Sequence, residues 1–126
     1  MKSNIPKISD SEWHIMKVLW QQSPLTANQI VEKLADKFTW NPRTVKTLIN
    51  RLVKKNAIGY EQDGRIYLYF PLITEEVCIK AERRSFLNRV YNGALKPMLV
   101  SFIEEEKLSA EEIAELKQIL DAKSEK

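Results

Sequence analysis

The side chains best suited to chemistry in this sequence are cations, hydroxyls and an amide that recur between residues 43 and 55. Arginine and lysine can donate hydrogen bonds to guanine O6 and N7, asparagine can pair with adenine N6 and N7, and a threonine methyl can contact a thymine methyl. Lysines at the end of the run can neutralise phosphates. The side chains predicted to contact DNA from this run are Arg43, Thr44, Lys46, Thr47, Asn50, Arg51, Lys54 and Lys55.

A helix must hold these side chains on one face. Asn41 is a suitable N-cap, and Pro42 suits the first helical position because its missing N–H costs nothing there. No acidic residue occurs between Asp36 and Glu61. An amphipathic helix with a merely solvated basic face is the alternative, so the flanking elements decide between the two interpretations. The opposite face carries an apolar stripe at helical spacing, formed by Val45, Leu48, Ile49, Leu52 and Val53.

Two capping boxes predict the helices before it. Ser9 begins a Ser-x-x-Glu box that opens a helix over about 10–22, and Thr26 begins a Thr-x-x-Gln box that opens a helix over about 27–37. A short helix, a tight connection and a second helix with a polar face are typical of a helix-turn-helix.

A β-hairpin is predicted after the basic helix. The runs 57–62 and 65–70 are rich in aromatic and β-branched residues, and Asp63-Gly64 separates them. This places Arg65 at the hairpin tip with Gln62 opposite, where the arginine can reach the DNA backbone or minor groove as the wing of a winged helix. The hairpin aromatics Tyr60, Tyr67, Tyr69 and Phe70 are expected to serve sheet and core packing rather than base stacking.

The fold class predicted is mainly α with a small β-hairpin. Residues 1–72 are expected to form a winged helix-turn-helix, and residues 73–126 a three-helix dimerisation domain. Three helices of this length bury too little surface to be stable alone, so a two-fold homodimer is favoured over helices that fold back on their own chain. The residues predicted to form the dimer interface are Val77, Phe86, Leu87, Val90, Leu95, Leu99, Phe102, Ile103, Ile113, Leu116 and Leu120.

Charge is divided unevenly along the 126 residues. Residues 1–72 hold 11 Lys/Arg and 6 Asp/Glu, a net +5, whereas residues 73–126 hold 9 and 11, a net −2. A basic first part indicates a polyanionic partner. With no signal-type segment and no apolar run approaching about 18 residues, we expect a cytoplasmic protein with no direct membrane binding.

Other classes of function find little support. A single cysteine, Cys78, excludes a disulfide framework and a cysteine-cluster zinc site. His14 is the only histidine and has no partnered nucleophile, so we expect it to be structural or solvated, and we expect neither catalysis nor a metal or other cofactor. The acidic run 104–106 is interpreted as a solvated helix end. A protein-binding adaptor and a repressor that responds to a small ligand remain as alternatives.

The chain resembles the penicillinase-repressor family, BlaI/MecI, along nearly its whole length. The most specific element is Trp-Asn-Pro-Arg-Thr-Val-Lys-Thr-Leu-Ile at residues 40–49. The other matching segments are 8–13, 16–20, 26–30, 51–55, 85–88, 91–93 and 108–113.

This resemblance implies a dimeric winged-helix repressor of β-lactamase or penicillin-binding-protein genes, bound to a palindromic operator. It also implies a membrane β-lactam sensor as a further partner and relief of repression by cleavage in the dimerisation helices. The family's cut follows an Asn that precedes Phe, and the corresponding bond here is Ser101–Phe102, which keeps only the Phe.

Two alternatives within the family concern the regulated genes and the signal that relieves repression. Such a regulator can control other genes, in metal or cell-wall stress, or be released by a small ligand. A copper-responsive branch carries paired Cys-x-Cys motifs at its C-terminal end. This chain has no cysteine after Cys78, which disfavours thiolate copper sensing.

Overall fold

The computed structural model describes residues 5–125, so the outer ends of the two predicted domains, residues 1–4 and 126, lie outside the described residues. The fold is mainly helical with one two-stranded antiparallel hairpin, which confirms the predicted fold class. In chain order the elements are α1 (Asp10–Gln21), α2 (Ala27–Ala35), α3 (Pro42–Lys54), β1 (Ile58–Asp63), β2 (Ile66–Pro71), α4 (Glu75–Tyr91), α5 (Leu95–Glu105) and α6 (Ala110–Ser124).

The chain divides into two compact units within α4, the first ending at Ala81 and the second beginning at Glu82. In the first unit, α1, α2 and α3 pack against one another, and the hairpin packs against all three. The three helices meet through apolar side chains spaced at one helical face, which removes that face from water. The largest fully buried apolar side chains are Ile15, Met16, Leu19, Val45, Ile30, Ile49, Leu52 and Ile58.

The predicted helix starts are confirmed by their hydrogen bonds. The Ser9 and Thr26 hydroxyls accept the backbone N–H groups of Glu12 and Gln29 at 3.2 and 3.1 Å, and both boxes are reciprocal. Asn41 caps α3, with its side-chain oxygen 2.8 Å from the Thr44 nitrogen. Each cap satisfies an N–H that has no partner within its helix.

A Schellman motif ends α3. Asn56 adopts φ 64°, the left-handed conformation that asparagine tolerates better than most residues. The Ala57 N–H donates to the Leu52 carbonyl at 2.9 Å, and the Asn56 N–H donates to the Val53 carbonyl at 3.0 Å. The chain therefore leaves the basic helix in a defined direction and enters β1 within two residues.

The hairpin loop lies one residue later than predicted, which moves the strand pairing by two residues. Asp63 pairs with Ile66, so the two loop residues are Gly64 and Arg65, and Tyr67 rather than Arg65 lies opposite Gln62. Glycine is preferred at the first loop position of a type II′ turn, where φ is positive, and Gly64 has φ +65°.

The hairpin has a third partner beside β2. The backbone N–H groups of Leu25 and Tyr69 each donate to the other residue's carbonyl, at 3.0 and 2.8 Å. Leu25 therefore forms an isolated antiparallel bridge with Tyr69. It also ties the base of the hairpin to the connection between α1 and α2.

The second unit has few buried side chains. Leu87 is buried, and the Phe86 ring stacks on the Phe102 ring at a centroid distance of 6.1 Å. Gly93, with φ +82°, ends α4 by donating its N–H to the Leu87 carbonyl. Every residue of α6 is exposed. None of the helices in residues 5–125 combines the length and the apolar character needed to cross a membrane.

Candidate nucleic-acid interface

The basic face of α3 is open to solvent. Its apolar stripe is turned inward, with Val45, Leu48, Ile49 and Leu52 buried. All eight side chains predicted to contact DNA from this segment, Arg43 to Lys55, are exposed. The Thr47 hydroxyl donates to the Arg43 carbonyl at 2.9 Å, so in the free protein Thr47 presents its methyl group and an oxygen acceptor.

Lys55 makes an intramolecular contact that sequence reasoning missed. Its ammonium donates to the Glu12 carboxylate at 2.5 Å and to the Lys7 carbonyl at 2.8 Å. Lys55, predicted as a phosphate contact, is therefore engaged within the protein and joins the end of α3 to the start of α1. The two partners are 43 residues apart, and no local pattern marks them as neighbours.

Glu12 is the buried half of this ion pair, with its side chain 1% exposed. Burial raises the pKa of the carboxyl group. The hydrogen bonds from Lys55 and from the Ser9 N–H, together with the charge of Lys55, lower it by more, so the pKa of Glu12 lies below its ordinary value of 4.5. The carboxylate is thus charged at neutral pH and holds α1 against the end of α3.

Three aromatic side chains pack together at the turn before α3. The His14 ring lies 4.4 Å from the Phe38 ring and 5.7 Å from the Trp40 ring, measured between centroids. Phe38 and Trp40 stack at 4.6 Å. His14 therefore packs against the turn, as the structural interpretation of this residue predicted, and Trp40 leads directly into the N-cap Asn41.

A cleft of about 530 Å³ lies between α3, the start of α2 and the hairpin. It brings together Lys46, Asn50 and Arg65 from the predicted contacts; the remaining ones are outside its lining. No acidic side chain is among the described residues that form it. The rest of the lining consists of Thr26, Ala27, Asn28, Ile49, Ile66, Tyr67 and Tyr69.

The hairpin tyrosines do not all pack as predicted. Tyr69 is buried, and burial, with smaller contributions from Tyr67 and Tyr60, raises the pKa of its phenol. Tyr60 and Tyr67 are 47% and 41% exposed and stack on each other at 4.9 Å. The prediction of core packing is therefore wrong for this pair. Period-2 alternation puts all three tyrosines on one face in both the predicted and the observed register, so it could not distinguish the buried Tyr69 from the exposed pair.

The residues predicted to form a dimer interface differ in how exposed their side chains are. Leu87 is buried and Phe86 is half-buried within the second unit, and Val77 is exposed in the first unit. Ser101 is half-buried in the middle of α5. The remaining predicted interface residues are exposed: Val90, Leu95, Leu99, Phe102, Ile103, Ile113, Leu116 and Leu120.

Within residues 5–125 no group of three or more His, Cys, Asp or Glu side chains is placed to hold a metal ion. The Cys78 thiol is buried, which raises its pKa.

Known proteins are similar in sequence to nearly the whole chain. The chain is 44% identical over 117 residues to a penicillinase repressor of Bacillus licheniformis, covering 93% of this chain and 91% of the relative. It is 36% identical over 123 residues to the methicillin resistance regulatory protein MecI of Staphylococcus aureus strain N315, covering 98% and 100%.

A solved structure is similar to about three fifths of the chain. The monomeric form of Bacillus licheniformis BlaI, in complex with the blaP half-operator, superposes with a TM-score of 0.52 at 41% identity, covering 60% of this chain and 92% of that one. The family model described as penicillinase repressor matches residues 8–122. The chain belongs to the penicillinase repressor family.

Proposed function

We propose that this protein is a transcriptional repressor that binds a palindromic operator as a homodimer and controls β-lactamase or penicillin-binding-protein genes. DNA binding is assigned to residues 1–72 and dimerisation to residues 73–126. The observation that carries the proposal is the exposed basic face of α3, beside a cleft free of acidic side chains that also contains Arg65. A related BlaI binds a half-operator, which supports the same role for this face.

In this proposal α3 lies in the major groove. By similarity to the family, the positions that read the groove are Arg43, Thr44, Lys46, Thr47, Asn50 and Arg51. Lys54 and Arg65 lie nearer the phosphates. The caps and the Glu12–Lys55 pair hold α3 rigid from both ends, so little conformational freedom is lost on binding.

Dimerisation is supported by the apolar surface of the second unit. Phe102, Ile113 and Leu116 are all exposed, although such side chains are normally buried. Many exposed large apolar side chains on a small helical unit indicate a protein interface, and a two-fold homodimer is the commonest solution. Two linked α3 helices then make the second half-site contact intramolecular, which raises affinity through effective concentration.

Repression is relieved in this proposal by cleavage near Ser101–Phe102, after a membrane sensor detects a β-lactam. By similarity to the family, the cut separates α6 and the end of α5 from the rest of the chain. The apolar faces that hold the dimer then lose their partners, whereas the contacts of α3 with DNA are unchanged. Affinity falls because the two half-sites are no longer linked.

The test is a titration of the intact chain with three DNA duplexes: the palindrome upstream of its own gene, one half-site, and an unrelated sequence. We expect tightest binding to the palindrome and weaker binding to the half-site. Affinity should also fall steeply with added salt, because several cations meet phosphates. Equal affinity for all three duplexes would refute the operator claim, and a flat salt dependence would refute the DNA claim.

A further inference from the structure

We propose that the cleft beside α3 holds one sugar-phosphate strand of the DNA duplex, and that the Tyr67 hydroxyl positions this strand through a hydrogen bond to a phosphate. The inference rests on the proposed function and deepens it. It assigns a neutral, sequence-independent contact to a residue whose predicted role was sheet and core packing.

The lining of the cleft matches the chemistry of a DNA strand. Lys46 and Arg65 supply positive charge, and Asn50 supplies an amide. Ile66 and Tyr67 add apolar surface. A sugar-phosphate strand alternates anionic phosphates with the apolar faces of sugars, so it needs both kinds of surface. The positive charge of the cleft would also suit an acidic peptide. DNA is favoured because the exposed basic face of α3, which is predicted to contact bases, lies directly beside the cleft.

Tyr67 is held in place before any ligand arrives. Its ring is stacked on Tyr60 with an interplanar angle of 14°, and the Tyr69 ring meets it edge-on at 6.4 Å. Tyr69 is itself buried and bonded through its backbone to Leu25. A side chain fixed in this way loses little rotamer freedom on binding, which favours a contact made by tyrosine.

Exposure of these rings is difficult to explain by folding alone. Tyr60 and Tyr67 are each more than two-fifths exposed, so their two stacked rings form an aromatic patch in contact with solvent on one face of the hairpin. Patches of this kind mark binding surfaces. Of the two stacked tyrosines, Tyr67 lines the cleft and Tyr60 does not. Tyr60 therefore serves as a matched control for substitutions of Tyr67.

The experiment compares Tyr67→Phe with Tyr60→Phe in the intact chain. Each variant loses one hydroxyl and keeps the stacked ring, so both should fold, which thermal unfolding checks. Binding is measured by fluorescence anisotropy on the operator palindrome and on an unrelated duplex. We expect Tyr67→Phe to weaken both by about tenfold, because a hydrogen bond to a charged group is lost. Tyr60→Phe should match the wild type on both.

The salt dependence gives a second readout. Removing a neutral hydroxyl leaves the number of cation–phosphate contacts unchanged, so the slope of log affinity against log salt should stay at the wild-type value. Replacing Arg65 with alanine should reduce that slope if Arg65 meets a phosphate in the same cleft.

The outcomes separate the two claims. Failure of the wild type to bind any duplex would overturn the proposed function. If the wild type binds and Tyr67→Phe binds with the same affinity, the proposed hydrogen bond from Tyr67 to a phosphate is refuted. Equal losses from both substitutions would overturn it as well, since the hydroxyls would then act through hairpin stability. A loss confined to the operator would identify a base contact instead of a strand contact.

Discussion

At the scale of residues, the Glu12–Lys55 ion pair has two roles. Glu12 completes the capping box of α1 by accepting the Ser9 N–H at 2.9 Å, and it also binds the ammonium at the end of α3. A buried carboxylate needs such partners, because an unpaired buried charge is strongly unfavourable. One side chain therefore starts α1 and positions the end of the basic helix.

The first prediction concerns Glu12→Gln. Glutamine can keep the capping box but loses the ion pair, so we expect a loss of about 2 kcal/mol in the free energy of unfolding at pH 7. Because the folded-state pKa of Glu12 lies below its ordinary value of 4.5, its stabilisation is present above that value and is lost as pH falls through the folded pKa.

The wild type should therefore lose more stability than Glu12→Gln when the pH falls from neutrality to about 3. Denaturant unfolding of both proteins at the two pH values measures the difference. Parallel pH profiles for the two proteins would show that the pair does not contribute as described.

The second prediction concerns Arg51→Ala. If the guanidinium reads a base, operator affinity should fall by about 1–3 kcal/mol while affinity for an unrelated duplex stays near the wild-type value. Titration of both duplexes at one salt concentration measures this, and Lys54→Ala serves as the phosphate-contact control. An equal loss for Arg51→Ala on both duplexes would reassign Arg51 to the backbone.

At the scale of elements, the geometry of α3 depends on how it ends. The Schellman motif turns the chain at Asn56 and delivers Ala57 and Ile58 into the core, where both are buried. The hairpin therefore begins at a set distance from α3. That distance sets the width of the cleft, which Lys46 and Arg65 both line.

The third prediction follows from the φ of 64° at Asn56. Glycine adopts this conformation freely, whereas a β-carbon without a compensating polar side chain is strained there. Asn56→Ala should destabilise the protein by about 1 kcal/mol, and Asn56→Gly should leave it unchanged or slightly more stable. Thermal unfolding of the two variants measures the contrast, and an Asn56→Ala variant as stable as Asn56→Gly would contradict it.

At the scale of the whole molecule, the two units differ in how completely they are packed. The first unit buries a full core around α1, α2 and α3, whereas α6 of the second unit has no buried residue. A helix with four exposed large aliphatic side chains, Ile113, Leu116, Ile119 and Leu120, gains little stability as a single copy in water. The proposed homodimer supplies the missing partner.

The fourth prediction is that Phe102→Asp shifts the protein from dimer to monomer. Phe102 is 46% exposed, and a buried, unpaired carboxylate in the dimer interface would be strongly unfavourable. Sedimentation measures the change, and Glu104→Ala, on the opposite side of α5, should stay dimeric. Half-site binding should survive in Phe102→Asp. A wild type that is monomeric, or a variant that stays dimeric, would refute this placement of the interface.

Several features could be predicted from the sequence alone because local interactions decide them. The caps at Ser9, Thr26 and Asn41 depend on neighbours three residues away, and the apolar stripe of α3 depends on helical spacing. Glycine and β-branched residues marked the hairpin in the same way. These local signals were sufficient for the fold class, the order of the elements and the exposed basic face.

Only the tertiary structure decided the features that depend on residues distant in sequence. The partner of Lys55 is Glu12, and the cleft joins α2, α3 and the hairpin. Only the tertiary structure showed that Tyr67, and not Arg65, lies opposite Gln62. Such contacts leave no local pattern, because each depends on how all the elements pack around the core. Exposure of Tyr60 and Tyr67 was missed for the same reason: composition favours aromatic residues in strands, but only packing determines which of them stay in contact with solvent.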